Sequence, residues 1–211
     1  MAAISYVKQG YEILTDNGPY DIQDIAETAR VCYRSVPKGE TEEECELANE
    51  MLVRSLVKRG HGAMLEHSFL SVRFRTDRAI ANEIVRHRLL SYAQESTRYV
   101  NYGKKGFEFI LPDTRNPFTL EHYRDACEAA VDSYESMIAD GVSPEDARGV
   151  LPLCTATTIV ASGNFREWRH VLALRTSKNA HPMIRALMTP LLEELKDTVP
   201  VVFDDIEPYR G

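Results

Sequence analysis

Apolar residues recur three and four positions apart in several stretches of the chain, which is the spacing of an amphipathic helix. The clearest stretch begins with the capping-box pair Thr41 and Glu44 and ends near Gly60, a residue that can terminate a helix. Its spaced apolar residues are Leu47, Met51, Leu52 and Leu56. A longer helix is predicted where one face carries Leu120, Tyr123, Cys127, Val131, Tyr134 and Ile138.

Other helices are marked by capping residues at their predicted starts. Side chains of Asp, Ser and Asn accept hydrogen bonds from the free amides of a first helical turn, and proline fits its first position. The capping residues are Asp21, Asp77, Ser143 and Asn164, and Pro182 opens the last predicted helix. We expect the first of these helices to run to about Arg34 and the second to about Arg88. Residues 102–106 are expected to form a loop.

Three segments have strand patterns. Residues 67–75 alternate in character, although one side of the alternation is unusually polar. The other side carries Ser68, Leu70, Val72 and Phe74. Residues 155–162 are rich in β-branched side chains and predict a buried strand, and residues 107–111 predict a short one. Because helices and strands do not alternate regularly, we predict an α+β fold with a mixed or antiparallel sheet packed against several helices, in a single domain over residues 1–211.

Composition and charge narrow the function classes. The chain has 211 residues, of which 44% are hydrophobic and 27% charged, as is ordinary for a globular protein. Its formal net charge of −7 argues against a general binder of nucleic acids or anionic membranes, which needs a broad basic surface. No apolar run approaches the ~20 residues of a membrane span, and the start of the sequence lacks a signal-peptide pattern. We therefore expect a cytoplasmic protein.

Neither the cysteines nor the histidines predict a metal site. The cysteines, which form no CxxC pair and are expected to be buried free thiols, are Cys32, Cys45, Cys127 and Cys154. His61 and the pair Glu66–His67 lack the spacing of a helical metal site. The sequence also contains no nucleophile elbow, P-loop or GxGxxG fingerprint, so it gives no signal for a hydrolase nucleophile, an NTP cradle or a Rossmann domain.

The strongest chemical signal is the stretch RHRLLSYAQESTRY, residues 86–99, which is cationic within an acidic chain. If the preceding helix continues to Arg88, then Glu83, Arg86 and His87 share a helical face. Forked arginine donors followed by serine hydroxyls match the geometry of a phosphate group. A salt-bridged helix face is the alternative interpretation of the arginines. Taken by itself, the stretch therefore predicts no more than an anion site.

Two arginines far along the chain extend this signal. Arg148 is expected in the first turns of a short helix, where the helix dipole slightly disfavours a cation; pairing with Glu145 and ligand binding are both open. Arg175 is expected near the apolar face that Trp168 and Leu172 share on the helix after residue 164. A cation in that place must be paired or must meet a ligand.

The stretch at residues 86–99 resembles the signature of the flavin-dependent thymidylate synthases, RHRxxS followed by serine, arginine and tyrosine. The matching residues are Arg86, His87, Arg88, Ser91, Ser96, Arg98 and Tyr99. Further family landmarks follow in the right order at Glu66–His67, residues 147–152 and residues 164–175. The resemblance covers residues from about 60 to 190. The chain departs from the family pattern at Ala93 and Gln94, where many members carry Asn-Glu, and its glutamate, Glu95, comes one residue later.

The resemblance implies a reductive methylation of dUMP to dTMP, with methylenetetrahydrofolate as carbon donor, FAD as hydride carrier and NADPH as reductant. It implies flavin contacts from Arg86, His87, Arg88, Gln94, Asn164, Arg166 and His170. It implies dUMP contacts from Glu83, Arg86, Gln94, Ser96, Arg98, Arg148 and Arg175. Arg175 matches the catalytic arginine that holds the uracil ring and favours ionisation at N3. Family membership further implies a homotetramer whose active sites are shared between subunits.

Two other function classes remain open at this point. A nucleic-acid-binding module could use the basic residues 86–105 with Tyr92, Tyr99 and Tyr102 as stacking platforms. The acidic remainder of the chain argues against it, and we predict no nucleic-acid or membrane partner. A phosphate-binding protein without catalysis is the third possibility.

Overall fold

The computed structural model describes residues 3–114 and 116–210. Within them the strands are β1 Ile4–Tyr6, β2 Gly10–Ile13, β3 Phe69–Asp77, β4 Ser91–Gln94, β5 Phe107–Phe109 and β6 Ala156–Asn164. The α-helices are α1 Pro19–Val31, α2 Glu42–Lys58, α3 Arg78–Ile84, α4 Tyr102–Lys105, α5 Pro117–Ala139, α6 Pro144–Ala147, α7 Phe165–Arg175, α8 Pro182–Thr198 and α9 Pro200–Phe203. Two 3₁₀ helices span Gly62–His67 and Arg148–Val150. The predicted α+β class is confirmed.

The strands form two sheets. A four-stranded sheet has the order β2-β3-β6-β4, and β1 pairs in parallel with β5, in the register Ile4 to Phe107. The alternation predicted for β3 is confirmed, because Ser68, Leu70, Val72 and Phe74 are all buried. The strand itself begins and ends two residues later than predicted. No helix in the described part of the chain has the length and apolar composition needed to cross a bilayer.

The chain divides into two compact units. Unit 1 comprises Met1–Tyr11, Arg73–His87 and Tyr92–Val160, and unit 2 comprises Glu12–Val72, Arg88–Ser91 and Ala161–Gly211. The single domain over residues 1–211 stays a prediction, and Met1, Ala2, Arg115 and Gly211 lie outside the described residues.

The core of unit 1 forms where α5 packs near β5. Phe107 and Tyr134 make an edge contact with ring centroids 5.3 Å apart, and Cys127 and Val131 of the predicted helical face are buried beside them. The sulfurs of Cys127 and Cys154 lie 3.5 Å apart without a disulfide. The hydrogen bond to Cys154, together with burial, raises the pKa of Cys127, so this thiol stays protonated and is no candidate nucleophile. The prediction of buried thiols is wrong for Cys32, which is exposed.

In unit 2, helix α2 begins and ends close to the predicted residues, but the face that it buries differs from the predicted one. The Thr41 side chain caps the helix by accepting from the Glu44 amide, yet Leu47 and Met51 are 58% and 66% exposed. The buried residues of the helix include Asn49, whose side-chain oxygen accepts a hydrogen bond of 2.5 Å from Arg30 on α1. The face that α2 buries carries Asn49 and the fully buried Val53, and Leu47 and Met51 lie outside it.

Helix α3 is shorter than predicted. Asp77 caps it as expected, accepting from the Ile80 amide at 2.7 Å, but the helix ends at Ile84 and does not reach Arg88. The Tyr92 hydroxyl lies 2.7 Å from the carbonyl oxygens of both Ile84 and His87, and the Ile84 carbonyl is one that a helix continuing to Arg88 would use itself. Arg86 and His87 therefore lie in a turn, so the helical face that they were predicted to share with Glu83 does not form.

Three smaller predictions are also corrected. The first helix begins at Pro19, and Asp21 is its third residue, where the carboxylate accepts from the Gly18 amide at 2.9 Å. Residues 102–105 form the short helix α4 and not a loop. A further helix, α9, follows the one that Pro182 opens.

A bidentate ion pair gives unit 2 a pH-dependent contact. The two terminal nitrogens of Arg169 lie 2.6 and 2.7 Å from the carboxylate oxygens of Asp205. The hydrogen bond from Arg169 lowers the pKa of Asp205 below its ordinary value of 3.8. Because the folded state has the lower pKa, the pair stabilises the fold above the unfolded-state value. That contribution is lost as the pH falls through the folded-state pKa.

Asp205→Asn is expected to lower the thermal midpoint modestly at neutral pH. The carboxylate is 55% exposed, and exposed pairs contribute at most about 1 kcal/mol. Melting curves followed by circular dichroism should show the wild type and the variant converging on acidification, since the wild-type carboxylate is then protonated too. A gap of unchanged size at about pH 2 would contradict this assignment.

Candidate active site

Two arginines that the sequence singled out meet in unit 1. Arg98 follows β4, and Arg148 follows the short helix α6, which Ser143 caps through the Asp146 amide. The Arg98 Nε lies 2.6 Å from a carboxylate oxygen of Glu145, and the Arg148 Nε donates to the Glu145 carbonyl at 2.9 Å. The pairing considered for Arg148 thus involves the backbone of Glu145, while the carboxylate pairs with Arg98.

Hydroxyl groups accompany these two cations. Arg148 Nη1 donates to the hydroxyl of Thr97 at 2.9 Å, and the Ser96 hydroxyl accepts from the Arg98 amide at 3.3 Å. Thr97 is 9% exposed, whereas the Arg98 side chain is 50% exposed. Two guanidinium groups and two hydroxyls therefore converge at a solvent-accessible place. These groups can donate the hydrogen bonds that a phosphate monoester accepts.

The remaining predicted residues of unit 1 differ in their exposure. Glu83 is half-buried on α3, Arg86 is exposed in the turn after it, and His87 is 5% exposed. Gln94 is exposed at the end of β4, with its side-chain nitrogen 3.4 Å from the hydroxyl of Thr157 on β6. Gln94 lies in the segment where the chain departs from the family motif. Its side-chain amide thus has a protein partner on another strand.

Unit 2 carries the other predicted residues on and around α7. Asn164 caps this helix as predicted, its oxygen accepting from the Glu167 amide at 3.0 Å. Arg88 and His170 are exposed. Arg175 is the last residue of α7 and is half-buried, while Trp168 and Leu172, seven and three residues before it, are fully buried. The dipole at this helix end favours the charged guanidinium.

Arg166 borders a cavity of about 390 Å³ within unit 2. Its Nη1 donates to the Glu66 carboxylate at 2.6 Å, and the side chain remains 60% exposed. A Cβ on Gly62 would come within 3.0 Å of the Arg166 Nε, so the glycine lets this arginine lie against the backbone. Other lining residues are Cys32, Tyr33, His61 and Met64. The cavity therefore combines an exposed cation with aromatic and apolar side chains. Such a lining fits part of a flavin nucleotide.

The sequence interpretation missed several of these residues. The sequence singles out His61 only as a candidate metal ligand and gives no role to Gly62 or Thr97. It marks Glu66 as a family landmark without a role, and Glu145 as a partner of Arg148 but not of Arg98. Thr97 and Glu145 lie 48 residues apart in sequence, and no local pattern connects them.

Comparison with known proteins identifies the family that this chain matches. The model of the family described as thymidylate synthase complementing protein matches residues 14–201. The flavin-dependent thymidylate synthase of Geobacter sulfurreducens is 34% identical over 188 residues, 87% of this chain and 81% of the relative. The enzymes so named from Corynebacterium efficiens and Mycobacterium tuberculosis are 31% and 32% identical, each aligned over 91% of this chain and over 82% and 81% of the relatives.

A solved structure shares the fold. The UMP/dUMP methylase PolB from Streptomyces cacaoi, bound with 5-Br dUMP, superposes with a TM-score of 0.78 over 95% of both chains at 22% identity. The same methylase bound with 5-Br UMP superposes equally well. On the family match and on relatives that are more than 30% identical along most of the sequence, the chain belongs to the thymidylate synthase complementing protein family, the flavin-dependent thymidylate synthases.

Proposed function

We propose that this protein is a methyltransferase that converts dUMP to dTMP by reductive methylation. In this proposal methylenetetrahydrofolate donates the carbon, FAD carries the hydride and NADPH is the reductant. The observation that supports it most directly is the convergence of Arg98 and Arg148 at Glu145 in unit 1, because two cations with adjacent hydroxyls suit the phosphate of a nucleotide. We further propose a cytoplasmic homotetramer with active sites shared between subunits.

In the proposed complex the phosphate of dUMP replaces the Glu145 carboxylate as the partner of Arg98. Arg148 stays oriented by its bonds to Thr97 and to the Glu145 carbonyl and offers its remaining N–H groups to the same phosphate. The Ser96 hydroxyl adds a further donor. Glu83, Arg86 and Gln94 complete the proposed nucleotide contacts.

Arg175 is the proposed catalytic residue. Making C5 of uracil nucleophilic requires electron density in the ring, and a fixed guanidinium beside the ring stabilises the negative charge that develops there. The position of Arg175 at the end of α7 keeps that charge favourable. In the described part of the chain Cys127 and Cys154 are buried near each other, and neither is needed as a nucleophile in this proposal.

The flavin would be held by Arg86, His87, Arg88, Gln94, Asn164, Arg166 and His170. When bound, it supplies the hydride that completes the methyl group. Arg166 would present its exposed guanidinium to an anionic part of the cofactor, held in place by Glu66 and by the close approach of Gly62. Asn164 uses its side-chain oxygen for the helix cap, which leaves its NH₂ group for a ligand.

The nucleic-acid-binding alternative loses one of its stacking platforms. Tyr102 is 5% exposed and its ring packs against Phe107, so it cannot stack on a base. The hydroxyl of Tyr92 is engaged with main-chain carbonyls at the end of α3. Tyr99 is 83% exposed, so its ring is accessible for the base stacking that this alternative requires.

The absorbance spectrum of the purified protein and a turnover assay test the proposal. Protein reconstituted with FAD should show flavin absorbance and should release tritium from 5-labelled dUMP when methylenetetrahydrofolate and NADPH are present. Binding of dUMP without any tritium release would favour the phosphate-binding protein without catalysis. A colourless protein that cannot be reconstituted with FAD would contradict the flavoenzyme.

Arg166→Ala is expected to lower the flavin content of the purified protein several-fold, because it removes a charge-assisted contact at the cavity. Arg166→Lys should recover part of the loss, since it restores the charge without the fork. The ratio of flavin absorbance to protein absorbance after gel filtration measures both. An unchanged ratio in Arg166→Ala would show that this side chain does not hold the cofactor.

A further inference from the structure

We infer that Glu95 and Tyr102 are positioning residues, which together hold the loop of residues 96–101 in the conformation that presents Arg98 to the substrate phosphate. The inference rests on the proposed function and adds to it a specific role for the segment in which the chain departs from its family motif. It concerns contacts within unit 1, between residues that have so far been given no part in the reaction.

Glu95 is fixed through both its side chain and its backbone. Its carboxylate accepts a hydrogen bond of 2.9 Å from the Tyr102 hydroxyl and lies 3.7 Å from Arg75 Nη1. Its amide donates to the Thr158 carbonyl at 2.9 Å, and its carbonyl accepts from Arg78 at 3.2 Å. Four neighbouring groups from four elements therefore determine where Glu95 lies.

The partners of Glu95 are themselves held firmly. Tyr102 is 5% exposed, and its ring stacks on Phe107 with centroids 5.8 Å apart and meets the edge of Tyr134 at 6.4 Å. Burial raises the pKa of Tyr102, so its hydroxyl remains a hydrogen-bond donor at neutral pH. Arg75 also donates to the hydroxyl of Thr158 at 3.1 Å and pairs with Glu108. Arg75 belongs to the polar side of the β3 alternation, so at least this residue of that side has a structural partner.

The hydrogen bond between Glu95 and Tyr102 closes the base of a short loop. Inside the loop the Ser96 carbonyl accepts from the amides of Tyr99 and Val100, at 3.3 and 3.1 Å, so the turn moves as one piece. Arg98 lies three residues after the clamped position. A shift of Glu95 is therefore transmitted directly to the guanidinium that faces Glu145.

The charge of Glu95 is compatible with a phosphate nearby. A free carboxylate three residues from Arg98 would compete with the phosphate for that arginine and would repel it. Here the carboxylate is 26% exposed, with one oxygen near the guanidinium that Arg75 shares with Glu108 and the other occupied by Tyr102. Glu95 can thus order the loop without acting as a ligand.

Two variants of the flavin-loaded enzyme test the inference, and both should weaken dUMP binding with little effect on chemistry. Tyr102→Phe deletes one hydroxyl, and Glu95→Gln removes the charge that Arg75 and Tyr102 hold. Each is expected to raise the calorimetric Kd for dUMP about tenfold, the loss expected for a hydrogen bond to a charged group. Turnover at saturating dUMP should stay within about twofold, because Arg175 and the flavin contacts are untouched.

Tyr134→Phe is the matched control. Tyr134 belongs to the same buried aromatic cluster as Tyr102, but the hydroxyl that donates to Glu95 is that of Tyr102. It should bind dUMP like the wild type. If Tyr134→Phe and Tyr102→Phe raise the Kd equally, the effect comes from the aromatic core and the inference is wrong.

A double variant that contains Arg98→Ala tests whether Tyr102 affects dUMP binding through Arg98 or through a general disturbance of the fold. If Tyr102 acts through Arg98, adding Tyr102→Phe to Arg98→Ala should produce no further loss of dUMP affinity. Additive losses would contradict the inference, as would an unchanged Kd in both Tyr102→Phe and Glu95→Gln while the wild type binds dUMP. A wild-type holoenzyme that does not bind dUMP would overturn the proposed function, and the inference with it.

Discussion

Arg175→Ala is expected to abolish dTMP formation while the flavin stays bound. The guanidinium is assigned to the uracil ring, where it stabilises charge that develops only as the reaction proceeds, so its loss should lower turnover by at least about 100-fold. Tritium release from 5-labelled dUMP measures the effect. Flavin absorbance measures the integrity of the site, and we expect it to be retained because the proposed flavin contacts come from other residues.

The control for this variant is Arg210→Ala, which removes another arginine of unit 2. Arg210 is 72% exposed and forms an ion pair of 3.0 Å with Glu193, so its loss should leave turnover unchanged. Retained tritium release in Arg175→Ala would remove Arg175 from the catalytic role. Loss of flavin together with turnover would instead make it a cofactor-binding residue.

Removing Arg98 or Arg148 should have the largest effect on substrate binding. Each offers a charge-assisted contact to the phosphate, so the single alanine variants are expected to raise the calorimetric Kd for dUMP about tenfold or more. Arg124→Ala is the matched control, because Arg124 is another arginine of unit 1 whose guanidinium lies over the Tyr6 ring, 5.5 Å from its centroid. An unchanged Kd in both Arg98→Ala and Arg148→Ala would place the phosphate elsewhere.

Glu145→Gln sharpens the same test by changing the affinity in the opposite direction. The Glu145 carboxylate occupies Arg98 at 2.6 Å and would also repel an incoming phosphate. Removing its charge while keeping its backbone carbonyl for Arg148 should therefore tighten dUMP binding. Weaker binding in this variant would mean that the carboxylate orients Arg98 more than it competes with the substrate.

Helix starts were predictable because a cap forms between residues close in sequence. Asp77, Ser143 and Asn164 each accept a hydrogen bond from an amide three residues later, as their residue types and positions indicated. The alternation of β3 was predictable for a similar reason, since successive side chains of a strand point to opposite faces. Both features depend on geometry that repeats within a few residues.

Helix ends and buried faces were less predictable because they depend on groups that arrive from elsewhere. The end of α3 lies where the Tyr92 hydroxyl returns from the following strand to the carbonyls of Ile84 and His87. The face that α2 buries carries Asn49, which bonds to Arg30 on another helix, while Met51 is exposed. Neither partner lies within the helical period of the residue that it affects.

For the candidate site, the sequence by itself singled out the side chains that are proposed to carry the chemistry and indicated the family to which the chain belongs. Charge, donor geometry and motif spacing singled out Arg98, Arg148 and Arg175 without coordinates. Only the tertiary structure decided how Arg98 and Arg148 are held: both contact Glu145, and Glu95 is bound by Tyr102 and Arg75. The physical reason is that side-chain pairing depends on distances of a few ångströms between segments up to about 50 residues apart, which chain folding sets and local sequence does not record.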